Sequence, residues 1–322
     1  MSTIKFVLLG EFEMITEPLR KLLDREESID DAKEKIGKVS PLLKEVINYS
    51  TNVCGRCFIT ETPLKEEDKS IAFLYRHIIE FADAVEVLIS NCCPMPAIPL
   101  VRSMYEALLT IQYILKENYK NRSLAWLYLY YHDLLEKHKI YDINSDEFKN
   151  FKKRSEREGM KNVLNELGNP EVKKYIKDIS DKLNEEIFKD IAIEFNKYKN
   201  DKSEKSNSYG CSLFNFFGAK RKLFDLTIKL KRSVEYDTLY RLWCSYGHAF
   251  ELLMYSQKES IEKGKIPKIR KSDELERNAG LAISFLLKAT EMIFNHFREE
   301  DLNAFSIWYS SNVDQKLKSL TK

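Results

Sequence analysis

Turn formers are scarce in this chain. Ten glycines and eight prolines among 322 residues are roughly half the usual share of about 12%. That is too few for the repeated tight reversals of a sheet protein, so long helices are the expected element. Hydrophobic residues make up 43% and aromatics 12%, enough to build a core and to exclude global disorder. The 52 Lys and Arg nearly cancel the 50 Asp and Glu. A protein that grips polyanions with its whole surface is therefore excluded, and any nucleic-acid contact has to come from a local patch. The expectation is an all-α helical bundle.

The pattern along the chain divides it in three. Residues 1–140 read as N-terminal helices and the first half of the bundle. Within them, helix is expected over 11–48 with a break near Gly37 and Pro41, irregular chain over 50–63, and a strong helix from Asp68 to Ser90. Pro94, Pro96 and Pro99 are expected to confine a turn before a helix from Leu100 to Lys116, and an aromatic helix follows from Ser123 to His138. Residues 141–209 are rich in Lys and Glu and read as a charged helical insertion that projects from the core or pairs with itself. Asn169-Pro170 marks a helix start there. Residues 210–322 are the second half of the bundle, with long helices at 233–256, 272–300 and 302–320.

No apolar run reaches the ~18 residues of a membrane span, and the N-terminal run is too short for a secretory leader. Six cysteines in a chain of 322 residues do not make a disulfide scaffold, so reduced thiols and a cytoplasmic location are expected. Cys54-Gly-Arg-Cys57 is a single CxxC; with Cys92 and Cys93 it is a thin basis for a thiol or zinc site. The glycines are not spaced for a dinucleotide loop, a P-loop or a nucleophile elbow. No His carries a Glu three residues before it, and there is no HExxH. Neither a metal nor a cofactor is expected.

Two helices carry polar residues in apolar company. In Leu100–Leu115 nearly every position is apolar, yet Arg102, Ser103, Glu106 and Thr110 fall in one narrow stripe at 100° per residue. The stripe is either a structural ion pair on the helix's wet edge or the charged floor of a pocket or subunit interface. In Glu235–Tyr255, Arg241 and His248 are seven residues apart, nearly two turns, and share a face with Ser245 between them. Leu239, Leu242 and Tyr246 are expected on the core side. A His active near neutral pH beside an Arg that can hold a phosphate suits phosphodiester cleavage without metal. One Arg and one His on a helix can equally be structural.

The block Pro99-Leu-Val-Arg102-Ser-Met-Tyr-Glu106, followed by Tyr240-Arg241-Leu-Trp-Cys-Ser-Tyr-Gly-His248, resembles an uncharacterised bacterial family known only as a domain of unknown function. The Arg-x6-His spacing is also similar to the loose Arg-x4–6-His signature of the HEPN superfamily. That resemblance implies a four-to-five-helix core, a homodimer, and a metal-independent endoribonuclease in toxin or phage-defence systems, with RNA as substrate and an antitoxin or regulatory partner. It implies Arg241 as phosphate ligand, His248 as general acid and base, Glu106 as the third catalytic group, and Arg102, Ser245 and Tyr240 in support. Leu242 stands where active HEPN ribonucleases carry a polar residue. The alternative is a catalytically inactive dimerisation or partner-binding module.

Two further features bear on RNA. Trp126-Leu-Tyr-Leu-Tyr-Tyr-His132 is either a base-stacking surface or part of the core. Lys220–Lys222, Lys229–Arg232 and Gly264–Lys271 would form a phosphate-binding rim if they converge, and solvated faces if they do not.

Overall fold

The computed structural model describes residues 24–59, 61–160, 170–200, 223–246 and 270–320. Among them there is helix and no strand. The helices are α1 (Arg25–Asp31), α2 (Lys33–Phe58), α3 (Glu66–Ser90), α4 (Pro94–Lys116), α5 (Tyr119–His138), α6 (Asp146–Arg157), α7 (Pro170–Leu183), α8 (Lys189–Asn200) and α9 (Leu223–Lys229). Helix α10 starts as Ser233–Glu235, passes through a π-helical turn at Tyr236–Tyr240 and continues as Arg241–Tyr246; α11 (Leu275–Phe297), α12 (Leu302–Asn312) and α13 (Asp314–Leu320) follow. The all-α bundle expected from composition is the observed architecture. No helix among the described residues is long and apolar enough to cross a membrane.

Helices α2, α3, α4 and α11 form the core, and α5 packs on the outer side of α3. Helix α4 is deeply enclosed: Val101, Met104, Tyr105, Leu108, Leu109, Ile111, Tyr113 and Ile114 are all fully buried. A polar knot sits where α2, α3 and α11 meet. The Thr290 hydroxyl donates to the Leu286 carbonyl at 2.8 Å, which uses its one proton. It therefore accepts from Ser50 at 3.0 Å and from Tyr75 at 2.8 Å. All three residues are fully buried. Between α2 and α3, Glu86 accepts from Ser40 at 2.6 Å and faces Lys44 at 3.2 Å. Burial works against its charge, but the hydrogen bonds from Ser40, Ser90 and Lys44 outweigh it and hold the carboxyl below its ordinary range.

Three expectations are corrected. Helix α2 runs unbroken through Gly37 and Pro41 and continues to Phe58, so Cys54 and Cys57 lie on a helix and not in irregular chain. Val39, Leu42, Leu43 and Val46 are buried on both sides of Pro41, and that burial outweighs the ~3 kcal/mol cost of an internal proline. The turn before α4 is Asn91–Cys93, not the prolines. Cys92 adopts φ 55°, its N–H bonds to the Ile89 carbonyl, and the Cys93 N–H reaches the Leu88 carbonyl at 2.8 Å. This is the Schellman closure of α3, with Cys where Gly is usual. Pro94 and Pro96 then sit in the first turn of α4, where N–H groups have no helical acceptor anyway.

The third correction concerns the charged stretch. Helices α7 and α8 neither project nor pair only with each other; both pack on α5. Phe188, Ile191 and Phe195 are buried there, with Phe195 5.5 Å from the Tyr128 ring. A few large apolar residues among many charges are enough to seat a helix. The 209/210 boundary lies outside the described residues.

The knot around Thr290 yields a stability prediction. Thr290→Val strands the buried Ser50 hydroxyl, while the Tyr75 hydroxyl keeps the Ser50 carbonyl at 3.3 Å, and should cost about 1–3 kcal/mol. Tyr75→Phe removes a donor and strands nothing comparable, and should cost about 1 kcal/mol. Urea unfolding of the two variants and their double mutant checks this, with the double mutant less damaged than the sum of the singles.

Candidate functional site

The polar stripe of α4 meets α10 in a closed ring of hydrogen bonds. Arg102 Nε donates to Glu106 Oε1 at 2.9 Å, and Arg102 Nη2 donates to the Tyr240 hydroxyl at 2.9 Å. The Tyr240 hydroxyl in turn donates to the same Glu106 oxygen at 2.8 Å. The guanidinium also lies 4.8 Å from the Tyr240 ring centroid. Burial of Tyr240, reinforced by the adjacent carboxylate, drives its phenol well above the ordinary value, so it stays a donor. The side chains of Arg102 and Glu106 remain 31% and 42% exposed, which leaves the pair reachable from outside.

Tyr240 is held there because α10 turns its aromatic side inward. Tyr240 and Trp243 are buried, and Trp243 packs edge-on against Tyr105 at 5.9 Å and Phe285 at 6.0 Å. Leu242, expected in the core, is 43% exposed. Both Leu239-Leu242-Tyr246 and Tyr236-Tyr240-Trp243 have helical spacing, and period alone does not choose between them. The aromatic stripe buries more area and gives the tyrosine hydroxyl polar partners.

Beside the ring, α3, α4 and α5 enclose a groove of about 560 Å³. Its polar side carries Ser103, Glu106 and Thr110 from α4 with His77 from α3. His77 Nε2 and the Ser103 hydroxyl are 3.0 Å apart, and Thr110 donates to the Glu106 carbonyl at 2.8 Å. Its aromatic side carries Phe73 from α3 and Trp126, Tyr130 and Tyr131 from α5. The Trp126 and Tyr130 rings are parallel within 2°, with centroids 6.0 Å apart. Burial lowers the His77 pKa below its ordinary value, with Glu80 pulling the other way, so the imidazole is neutral near pH 7.

The sequence-expected residues thus separate. Arg102, Glu106 and Tyr240 come together; Ser103 and Thr110 line the groove. Arg241 does not join them: its side chain is 70% exposed and faces Asp237 at 3.6 Å. His248 and the Ser245 side chain lie outside the described residues, as do Gly247, Lys220–Lys222 and most of Gly264–Lys271. Arg232 is drawn inward instead of onto a rim, donating to Gln112 at 2.7 Å and Glu235 at 2.6 Å. The aromatic block of α5 divides between its two readings: Leu127 and Tyr128 are buried, while Trp126, Tyr130 and Tyr131 line the groove.

His77 and Phe73 are the groove residues that pattern reading overlooks, because a lone His among apolar neighbours in a helix carries no spacing signal. Among the described residues, no three His, Cys, Asp or Glu side chains are placed to hold a metal. Burial pushes the Cys57 thiol up to about 11, which leaves it protonated and a poor ligand or nucleophile.

Two outcomes follow from this geometry. Tyr240→Phe opens the ring and should cost about 1 kcal/mol, below the ~1.5–3 kcal/mol of bonds to buried charges because water reaches Arg102 and Glu106; chemical denaturation reads it. For His77, the unfolded chain binds the proton first, near the ordinary value of 6.5. Stability should therefore fall as pH drops from about 7.5 to 5.5. His77→Gln should flatten that slope, with His296, also lowered by burial, supplying the remainder.

No curated protein and no solved structure matches the chain. A family model does: Family of unknown function (DUF5677) matches residues 68–264. The matched span contains α4, α5 and α10 and nearly all of α3, and hence both walls of the groove and the Arg102–Glu106–Tyr240 ring. The chain belongs to the DUF5677 family.

Proposed function

We propose that this protein is a HEPN-like RNA-directed module that works as a metal-independent endoribonuclease in a cytoplasmic toxin or phage-defence role. The observation that supports the reading is the setting of Arg241. It stands on the outer side of α10, 70% exposed, one residue after the tyrosine whose hydroxyl ties that helix to Arg102 and Glu106. A guanidinium paired, among the described residues, with an exposed Asp237 across 3.6 Å is weakly committed and can exchange that carboxylate for a phosphate. In this reading Arg241 holds the scissile phosphate, His248 moves the proton, and Glu106, with Arg102 and Tyr240 fixing it, supports the site. Arg241 stands on the outer side of α10, whereas Glu106 lies on α4, which α10 meets through Tyr240, so bringing both to one phosphate calls for a homodimer, in which one subunit supplies the arginine and the other the carboxylate.

A second reading has a specific observation behind it. Both bonds to Glu106 fall on Oε1, from Arg102 and Tyr240, so that oxygen is already engaged, and Leu242 beside Arg241 is an exposed apolar residue. Those features suit a catalytically inactive module that binds a second copy or a regulatory protein through α10.

Incubation of a mixed RNA pool with the protein in EDTA separates the two. The ribonuclease reading expects cleavage that drops by ~100-fold or more in Arg241→Ala and in His248→Ala. No cleavage by the wild-type protein, at concentrations where sedimentation shows a dimer, overturns it in favour of the binding module.

A further inference from the structure

The α3/α4/α5 groove has a chemical character that RNA cleavage does not use. Four aromatic side chains, Phe73, Trp126, Tyr130 and Tyr131, line it together with one carboxylate, Glu106, and among the described residues the lining holds no Lys or Arg. The single imidazole, His77, is hydrogen-bonded to Ser103 at 3.0 Å. A cavity of about 560 Å³ falls within the roughly 300–1,000 Å³ of small-molecule sites. Phe73 and Tyr130 are 53% and 49% exposed, so the rings are open to an arriving ligand and not closed on one another.

Faces of aromatic rings carry negative charge density and attract cations, most strongly where water is partly excluded. A phosphate or carboxylate entering this groove would meet aromatic rings and Glu106, and no cation among the described lining residues. A neutral apolar ligand would gain from the ring area alone and nothing from the carboxylate. The choice among cations follows from the count of acceptors. Glu106 Oε1 is already taken by Arg102 and Tyr240 on the α10 side, which leaves its Oε2 as the charged acceptor. A primary ammonium has three donors to satisfy and loses strong hydration on entry. A methylated ammonium has fewer donors or none, is weakly hydrated, and presents methyl groups that fit ring faces. Arg102 is not among the lining residues, and it is engaged by Glu106 and the Tyr240 ring.

We infer that the groove between α3, α4 and α5 binds a methylated alkylammonium, with its charge beside Glu106 and its methyl groups against the Trp126 and Tyr130 rings. The inference shares Glu106 with the ribonuclease reading but uses neither Arg241 nor His248, and its test is run without RNA, so the two can fail separately.

The test is calorimetric titration of the full-length protein, without RNA, by choline and by 3,3-dimethyl-1-butanol, in which carbon replaces the charged nitrogen at nearly the same shape. Ethanolamine provides the primary-amine comparison. Choline should bind at least tenfold more tightly than either. Tyr130→Ala, at a half-exposed position that leaves the fold intact by circular dichroism, should weaken choline several-fold. Glu106→Gln should do the same while narrowing the gap to the neutral alcohol. Trp126→Phe keeps a ring at the site and should weaken choline less than Tyr130→Ala. Equal binding of choline and the alcohol, tighter binding of ethanolamine, or no heat with choline at millimolar concentration would each overturn the inference, whatever the outcome with RNA.

Discussion

Everything distinctive about this structure depends on the burial of α4 around most of its circumference. A helix enclosed by α3, α10 and α11 has almost no surface on which to place a charge at low cost. Its residues divide accordingly. Val101, Met104, Tyr105 and Leu108 are fully buried, while Arg102, Ser103, Glu106 and Thr110 share the one strip that stays partly open. Because the core fixes the rotation of α4, it also fixes the direction in which that strip faces. The site is thus set by the packing on the other side of the same helix.

The strip has different neighbours on its two flanks, and the contrast gives the region its chemistry. Toward α10, Glu106 meets a guanidinium and a phenol in a closed ring. A half-exposed Arg–Glu pair on its own contributes little, about 0–1 kcal/mol. Adding the Tyr240 hydroxyl turns the pair into a tether that holds α10 with Trp243 seated between Tyr105 and Phe285. Toward α3 and α5, the same carboxylate faces rings and a neutral imidazole. One residue therefore serves both as an anchor of α10 and as the carboxylate in the lining of the groove.

Much of this was legible in the sequence. The stripe of Arg102, Ser103, Glu106 and Thr110 follows from helical periodicity because so few residues in that segment are polar. Fold class follows from the scarcity of Gly and Pro. What escaped has physical reasons. Local rules place breaks at Pro41 and at Pro94–Pro99, but burial along α2 overrides the first, a first turn tolerates Pro94 and Pro96, and Pro99 sits inside α4 where Ile98 and Val101 on either side are buried. On α10 the expectation fails at Leu242, which is exposed, while Leu239 packs against the core; two apolar stripes share one period, and only the partner surface on α4 selects how far each is buried. The groove itself joins α3, α4 and α5 through side chains of mixed type, and no spacing within one segment announces a cavity formed among three.

The segments that build the groove also cannot stand alone. Tyr75 of α3 satisfies its hydroxyl on Thr290 of α11, with Ser50 of α2 on the same oxygen. Tyr105 of α4 packs against Phe285 of α11 at 5.4 Å. Stripped of α2 and α11, the pair α3 and α4 would expose the fully buried Ile71, Ile78, Leu108 and Ile111 together with an unsatisfied phenol. Exposed apolar faces of that kind drive association instead of a defined fold. The family match runs from within α3 to beyond α10, which covers the groove walls but only half of the four-helix core. The flanking helices α2 and α11 are therefore part of the site's machinery in a mechanical sense: they hold α3 and α4 at the spacing that leaves a cavity, and not a collapsed contact, in front of α5.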